Sequence, residues 1–298
     1  MQITAAVLRA LSTGFKTNFL QGIDAVSPTW QLVAMEVNSS AKLENYGWLK
    51  AISGVREWVG ERVINNLEAN VYQLTNRDWE HTLGVKRNDI EDDTLGLYAN
   101  LFAMQGEAVA AHPDQLIWQT LLGGFSSKGL DGQYFFDTDH VAYDASGNET
   151  SYSNYASGSG APWFLMDLSR KYMKPLVMQW RQKPKFISKI REDDDNVFFS
   201  KEYLYGMDAR YAAGYGFHQL AYAGKATLDA TAYAAALVAM GTQLRPDGAS
   251  LNVQPTHLVV GPSNLAAAKT LIAKEYLAGG ENNIWYKSVE LVTVPALG

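Results

Sequence analysis

The chain has no cysteine among its 298 residues, which removes disulfides, cysteine-ligated zinc and thiol nucleophiles together. Its stability must come from packing and association, as suits a chain assembled in a reducing cytoplasm. A cationic surplus is also missing. With 25 Lys and Arg against 31 Asp and Glu, the formal charge is -6, so the clustered positive charge that displaces counterions from nucleic acid is lacking. Long apolar runs are absent as well. Arg9 and Lys16 break up the N-terminal segment, leaving no continuous signal-peptide core, and no stretch approaches the ~18 apolar residues of a membrane span.

Catalytic fingerprints are equally scarce. There is no G-x-S-x-G elbow and no G-x-G-x-x-G run, and Gly224-Lys225-Ala226 has neither the preceding glycine nor the following hydroxyl of a phosphate loop. The best candidate for metal chemistry is Asp137, Asp139 and His140 in Phe-Phe-Asp-Thr-Asp-His. In an extended chain the two aspartates share a face while His140 points away, and no second histidine lies at ligand spacing. A polar turn after a buried Phe135-Phe136 pair is the simpler reading, with no metal, cofactor or catalytic residue assigned. The other histidines (His81, His112, His218, His257) are scattered and read as structural.

What is present is a 47% hydrophobic, aromatic-rich chain, long enough to bury roughly 75% of its unfolded surface. Ile3, Val7, Leu8, Leu11, Phe15 and Phe19 recur at helical spacing after Thr4, a candidate N-cap, and Gly22 with Ser27-Pro28 closes the helix. This helix is either an arm seeking an apolar surface elsewhere or a helix packed on its own domain. Trp30 to Val37 reads as a strand. A glycine-punctuated region then carries Trp48 and Trp58 among Arg56, Glu57, Glu61 and Arg62, a mixture suited either to a partly wet interface or to a folded-back loop covering the core. Val71 to Val85 reads as strands around a turn at Asn76-Arg77-Asp78.

Beyond the acidic Glu91-Asp92-Asp93, a long helix is expected to run to Leu122, kinked or restarted before Pro113. Ser126 to Gly160 reads as loops with short extended pieces. Leu176 to Ile190 and Val197 to Tyr205 form a hairpin across the polar link Glu192 to Asn196. The last third alternates a helix (Ala230 to Leu244, capped by Asp229), a strand (His257 to Val260), a helix (Asn264 to Lys274) and a strand (Leu291 to Val294). The fold class is α+β.

Several segments, in order along the chain, resemble the major head subunit family of Mu-like phages and prophages. They include LSTGFKTNF from Leu11, REWVGERVINNL from Arg56, GVKRNDIEDD from Gly84, HPDQL from His112, FFDTDH from Phe135, APWFLMDLSR from Ala161, EYLYGMDARYAAGYG from Glu202 and PTHLVVGPSNL from Pro255. None is catalytic; their shared order carries the resemblance.

The resemblance implies a Hong Kong 97-like capsid fold. Laid on this chain, its parts are an N-terminal arm (1–28), a strand and extended loop (29–75) and a peripheral domain with spine helix (76–125). A loop-rich segment (126–160), a peripheral-sheet hairpin (161–222) and an axial domain (223–298) complete it. It also implies a structural shell protein of the virion, not an enzyme, assembled in the bacterial host cytoplasm from pentamers and hexamers of itself. Scaffolding protein and portal are the implied partners, with a decoration protein as a further candidate, and no specific nucleic-acid or membrane contact. Phe15, Phe19, Trp48, Arg56, Glu57, Trp58, Glu61 and Arg62 are the expected interface residues. The alternatives are an encapsulin-like cargo compartment and a metal-dependent enzyme using Asp137, Asp139 and His140.

Overall fold

A computed structural model of the chain describes residues 4–46, 72–92, 96–277 and 279–298. Helix α1 (Ala5–Ala25) opens with the Thr4 hydroxyl accepting from the Val7 amide at 3.3 Å, as the sequence predicts. It runs straight through Gly22. The expected strand from Trp30 begins instead as a short helix, α2 (Trp30–Val33), and becomes β1 (Ala34–Asn38) only afterwards. The reason is a distant residue: the Asp114 carboxylate accepts from the backbone amides of Thr29 (2.9 Å) and Trp30 (2.5 Å), which no local pattern announces.

Strands β2 (Leu43–Asn45) and β3 (Gln73–Thr75) flank residues 47–71, and β4 (Arg77–Lys86) follows after Asn76. The short α3 (Arg87–Asp92) precedes α4 (Leu97–Gly123), which enters from Gly96 at a left-handed φ of 62° and continues unbroken through Pro113. The expected restart at His112 does not occur. Proline frees the carbonyl four residues earlier from its helical partner, and a helix packed along most of its length tolerates that single loss.

The loop-rich segment holds β5 (His140–Tyr143), β6 (Glu149–Tyr152) and β7 (Tyr155–Ala156), and β8 (Trp163–Met166) follows. Two 14-residue strands, β9 (Leu176–Lys189) and β10 (Glu202–Tyr215), form the expected hairpin. Its link is not a plain polar turn, because Val197, Phe198 and Phe199 belong to a helical turn, α5 (Asp195–Ser200), ended by Lys201 in the left-handed region. A 3-10 turn (His218–Leu220) leads to β11 (Ala221–Gly224). The C-terminal third runs α6 (Ala230–Gly241), capped by Asp229, then β12 (His257–Val260), a 3-10 turn (Pro262–Asn264) continuing into α7 (Leu265–Ala268), and β13 (Glu290–Thr293). The alternation read from the sequence holds.

Two sheets organise the molecule, one in the order β1-β9-β10-β4 and the other β13-β12-β8-β11-β7. β8 lies inside the span assigned to the peripheral hairpin, yet it pairs with β12 of the C-terminal third on one side and, on the other, with β11, which straddles the boundary at 222/223. Period-two alternation explains how. In β8, Phe164 and Met166 enter one buried cluster while Trp163 and Leu165 enter another, and in β9 Leu176 and Met178 separate from Val177 in the same way. Strands buried on both faces need continuous apolar runs, such as Trp-Phe-Leu-Met and Leu-Val-Met. A third cluster joins α1, α4 and the hairpin, with Phe15 stacked on Phe102 at 4.3 Å.

Candidate functional site

The expected function lies in contact surfaces, and the root of residues 47–71 is the most elaborately built of them. β2 and β3 pair antiparallel with Glu44 opposite Leu74, and the ladder ends with the Tyr46 amide donating to the Tyr72 carbonyl at 2.9 Å. Tyr46 and Tyr72 therefore lie side by side at the ends of the two strands.

Beneath this ladder sits a buried polar network. The Tyr46 hydroxyl donates to Gln179 Oε1 at 2.5 Å, and Gln179 Nε2 donates to Asn76 Oδ1 at 2.8 Å and to the Leu74 carbonyl at 3.2 Å. Asn76 Nδ2 in turn donates to Ser39 Oγ and the Ala41 carbonyl, both at 2.8 Å. Glu44 Oε1 accepts from the Ser40 amide at 2.7 Å, the Ala41 amide at 3.0 Å and Ser39 Oγ at 3.0 Å. Those donors, the Ala41 amide foremost, hold the Glu44 carboxyl below its ordinary value. Burial, reinforced by the Glu44 charge, pushes the Tyr46 hydroxyl well up, and burial pushes Tyr72 up to about 12.

Each member of a satisfied buried network fixes its neighbours. This one ties Tyr46 on one side of residues 47–71 and Leu74 and Asn76 on the other to β9 through the single Gln179.

The residues expected at the interface fare differently. Phe15 and Phe19 are buried, at 7% and 0% exposure, within the chain's own core. Of the two readings open for the first helix, packing on its own domain is the one observed. Trp48, Arg56, Glu57, Trp58, Glu61 and Arg62 lie outside the described residues.

Exposed apolar side chains occur where the sequence reading did not place them. Leu97, Leu101 and Met104 line one face of α4 at spacings of four and three, with Leu97 and Met104 more than 60% exposed. Phe198 and Phe199 stand edge to face at the hairpin tip, 73% and 78% exposed. Tyr276, Leu277 and Ile284 form a third exposed group. A missed signal exists for the first: two apolar stripes on one helix exceed what a single core needs.

The Asp137, Asp139, His140 cluster does not form. Asp137 accepts from the Thr138 and Tyr134 amides, Asp139 is exposed, and His140 is fully buried with Nδ1 2.6 Å from Asp131 Oδ2. His140 stacks on His218, a partner that spacing could not reveal. Among the described residues no helix is long and apolar enough to cross a membrane.

Known proteins place these observations. A sequence profile described as "Mu-like prophage major head subunit gpT" matches residues 8–297. The major capsid protein of Escherichia phage Mu is 39% identical over 290 residues, spanning 95% of each chain. A subunit of the procapsid of bacteriophage JBD30 superposes with a TM-score of 0.87 at 39% identity, covering 99% of this chain and 100% of that one. The capsid of the same phage decorated with minor capsid protein trimers gives a TM-score of 0.78 at 27% identity over 99% of each chain. The fold is Hong Kong 97-like, and the chain belongs to the Mu-like prophage major head subunit family.

Proposed function

We propose that this major head subunit closes an icosahedral shell around phage DNA by joining pentamers and hexamers of itself through its three exposed apolar surfaces and residues 47–71. The observation that carries this is the pairing of exposed Phe198 and Phe199 with an otherwise well-buried core. Large apolar side chains left in water at separate sites mark association surfaces, and a closed shell requires heterologous contacts that differ from patch to patch.

The segment layout fits the same reading. α1, expected in the arm, packs on α4 within the subunit, β2 and β3 root the extended loop carrying Trp48, Arg56, Glu57, Trp58, Glu61 and Arg62, α4 is the spine, and the C-terminal third builds the axial part. Mild negative charge keeps packaged DNA from adhering to the inner wall. Assembly takes place in the host cytoplasm on a scaffold and portal, and trimers of a minor capsid protein like those on the JBD30 capsid are the decorating partner. The role is structural and not enzymatic.

Electron microscopy of the expressed protein, alone and with its scaffold, tests this. Rings or closed shells are expected; a monomer under every assembly condition would overturn it.

A further inference from the structure

Away from the contact surfaces, three ligand-bearing side chains from separate segments meet in the interior. Asp131 comes from the turns after α4, His140 opens β5, and His218 opens the 3-10 turn before β11. One carboxylate oxygen and one nitrogen from each ring lie within 4.8 Å of one another. Asp131 Oδ2 is 2.6 Å from His140 Nδ1 and 3.7 Å from His218 Nδ1, and the two rings stack at 4.0 Å with 9° between their planes. His140 is 0% and His218 5% exposed.

The satisfaction of this cluster is incomplete. Nε2 of His140, Nε2 of His218 and the Tyr152 hydroxyl are buried without a hydrogen-bond partner, and the Tyr152 ring lies 5.5 Å and 6.0 Å from the two imidazoles. Each unpaired buried group carries a desolvation penalty that nothing repays. One shared proton accounts for the His140 to Asp131 contact and leaves His218 with only a long approach to the carboxylate. A cohesive core gains nothing from gathering such groups.

We propose that Asp131, His140 and His218 form a binding site for a borderline-soft divalent cation, zinc being the best chemical match, which ties the turns after α4 to β5 and to the entry of β11. Two imidazoles and one carboxylate are a donor set that zinc takes readily, with a fourth position left for water or the Tyr152 hydroxyl. Calcium and magnesium are disfavoured because the site has a single carboxylate and two imidazole nitrogens where those ions want oxygen. The Asp131 side chain is 19% exposed, so the cation has a route in from solvent. Metal–nitrogen bonds lie in the ring plane, so the parallel rings splay apart as the ion enters, and the proton shared by His140 and Asp131 is displaced.

The test uses full-length unassembled subunit, stripped with EDTA, dialysed and titrated calorimetrically with zinc, with cobalt as an optical reporter. One zinc per chain, visible cobalt absorption typical of a nitrogen-ligated site and a raised melting temperature are expected. His218→Gln and Asp131→Asn should each weaken zinc binding by about tenfold to a hundredfold, while His81→Gln, at an exposed histidine, leaves it unchanged. Asp131→Asn nearly preserves shape and carries the test if His218→Gln fails to fold. Absence of saturable zinc binding, or affinity unchanged in the ligand variants, overturns the proposal. Because the readout precedes assembly, it stands or falls separately from shell formation.

Discussion

Gly22 of α1 and Gly106 of α4 bring the two helices into backbone contact. A Cβ on Gly22 would lie 2.0 Å from the Ala103 carbonyl oxygen, and one on Gly106 would lie 2.0 Å from the Phe19 carbonyl oxygen. Both obstacles are main chain, so neither can swing aside. Gly106→Ala is therefore expected to destabilise the subunit by about 3 kcal/mol, read from the urea midpoint. Gly14→Ala, mid-helix with nothing within 4 Å, should instead stabilise it by about 0.8 kcal/mol.

Gln179 is the shared member of the network beneath the β2–β3 ladder. Gln179→Leu removes the acceptor of the Tyr46 hydroxyl and the donor to Asn76 Oδ1, at a cost of about 2–4 kcal/mol. Hydrogen exchange should show the effect locally. Protection of the Tyr46 amide is expected to fall further than that of β10 amides paired with β4.

His112 supplies a pH dependence. Its Nδ1 lies 2.6 Å from the Tyr211 hydroxyl and its ring 4.4 Å from Trp79, and burial holds its pKa below the ordinary value. The unfolded chain binds a proton near pH 6.5 that folded His112 accepts only at lower pH. Its contribution to stability is thus complete above about pH 6.5 and is lost as pH falls toward the depressed folded value. His112→Gln should flatten the fall in urea midpoint between neutral pH and mild acid; an unaltered slope would contradict this.

At the hairpin tip, Phe198→Ser with Phe199→Ser should leave subunit stability within about 0.5 kcal/mol of the parent. Shell yield, counted by electron microscopy or sedimentation, should nevertheless drop. Trp58→Ala, within the proposed extended loop, should act in the same direction.

Legibility from sequence followed the range of the forces involved. Alternation and helical spacing located α1, α4, the β9 and β10 hairpin and the C-terminal alternation, because one face of each meets a core. Gly22 was misleading for a physical reason: glycine ends helices by conformation and joins them by size, and only the packed partner distinguishes the two. Trp30 to Val33 became helical through the remote Asp114 cap, and Val197 to Phe199 curled into α5 at the hairpin tip, where no ladder holds them extended. The meeting of Asp131, His140 and His218 was invisible because the three sit on separate segments, the turns after α4, the start of β5 and the 3-10 turn before β11, which only the folded chain brings together. Phe15 and Phe19 had the apolar character of an interface but are used within the chain.

The alternating strands described above have a mechanical consequence. β8 and β9 each contribute side chains to cores on both of their faces, so no slip plane runs between those cores without severing a strand. The body of the subunit behaves as a stiff tile, and the differing angles that the proposed five-fold and six-fold rings require are taken up at its margins.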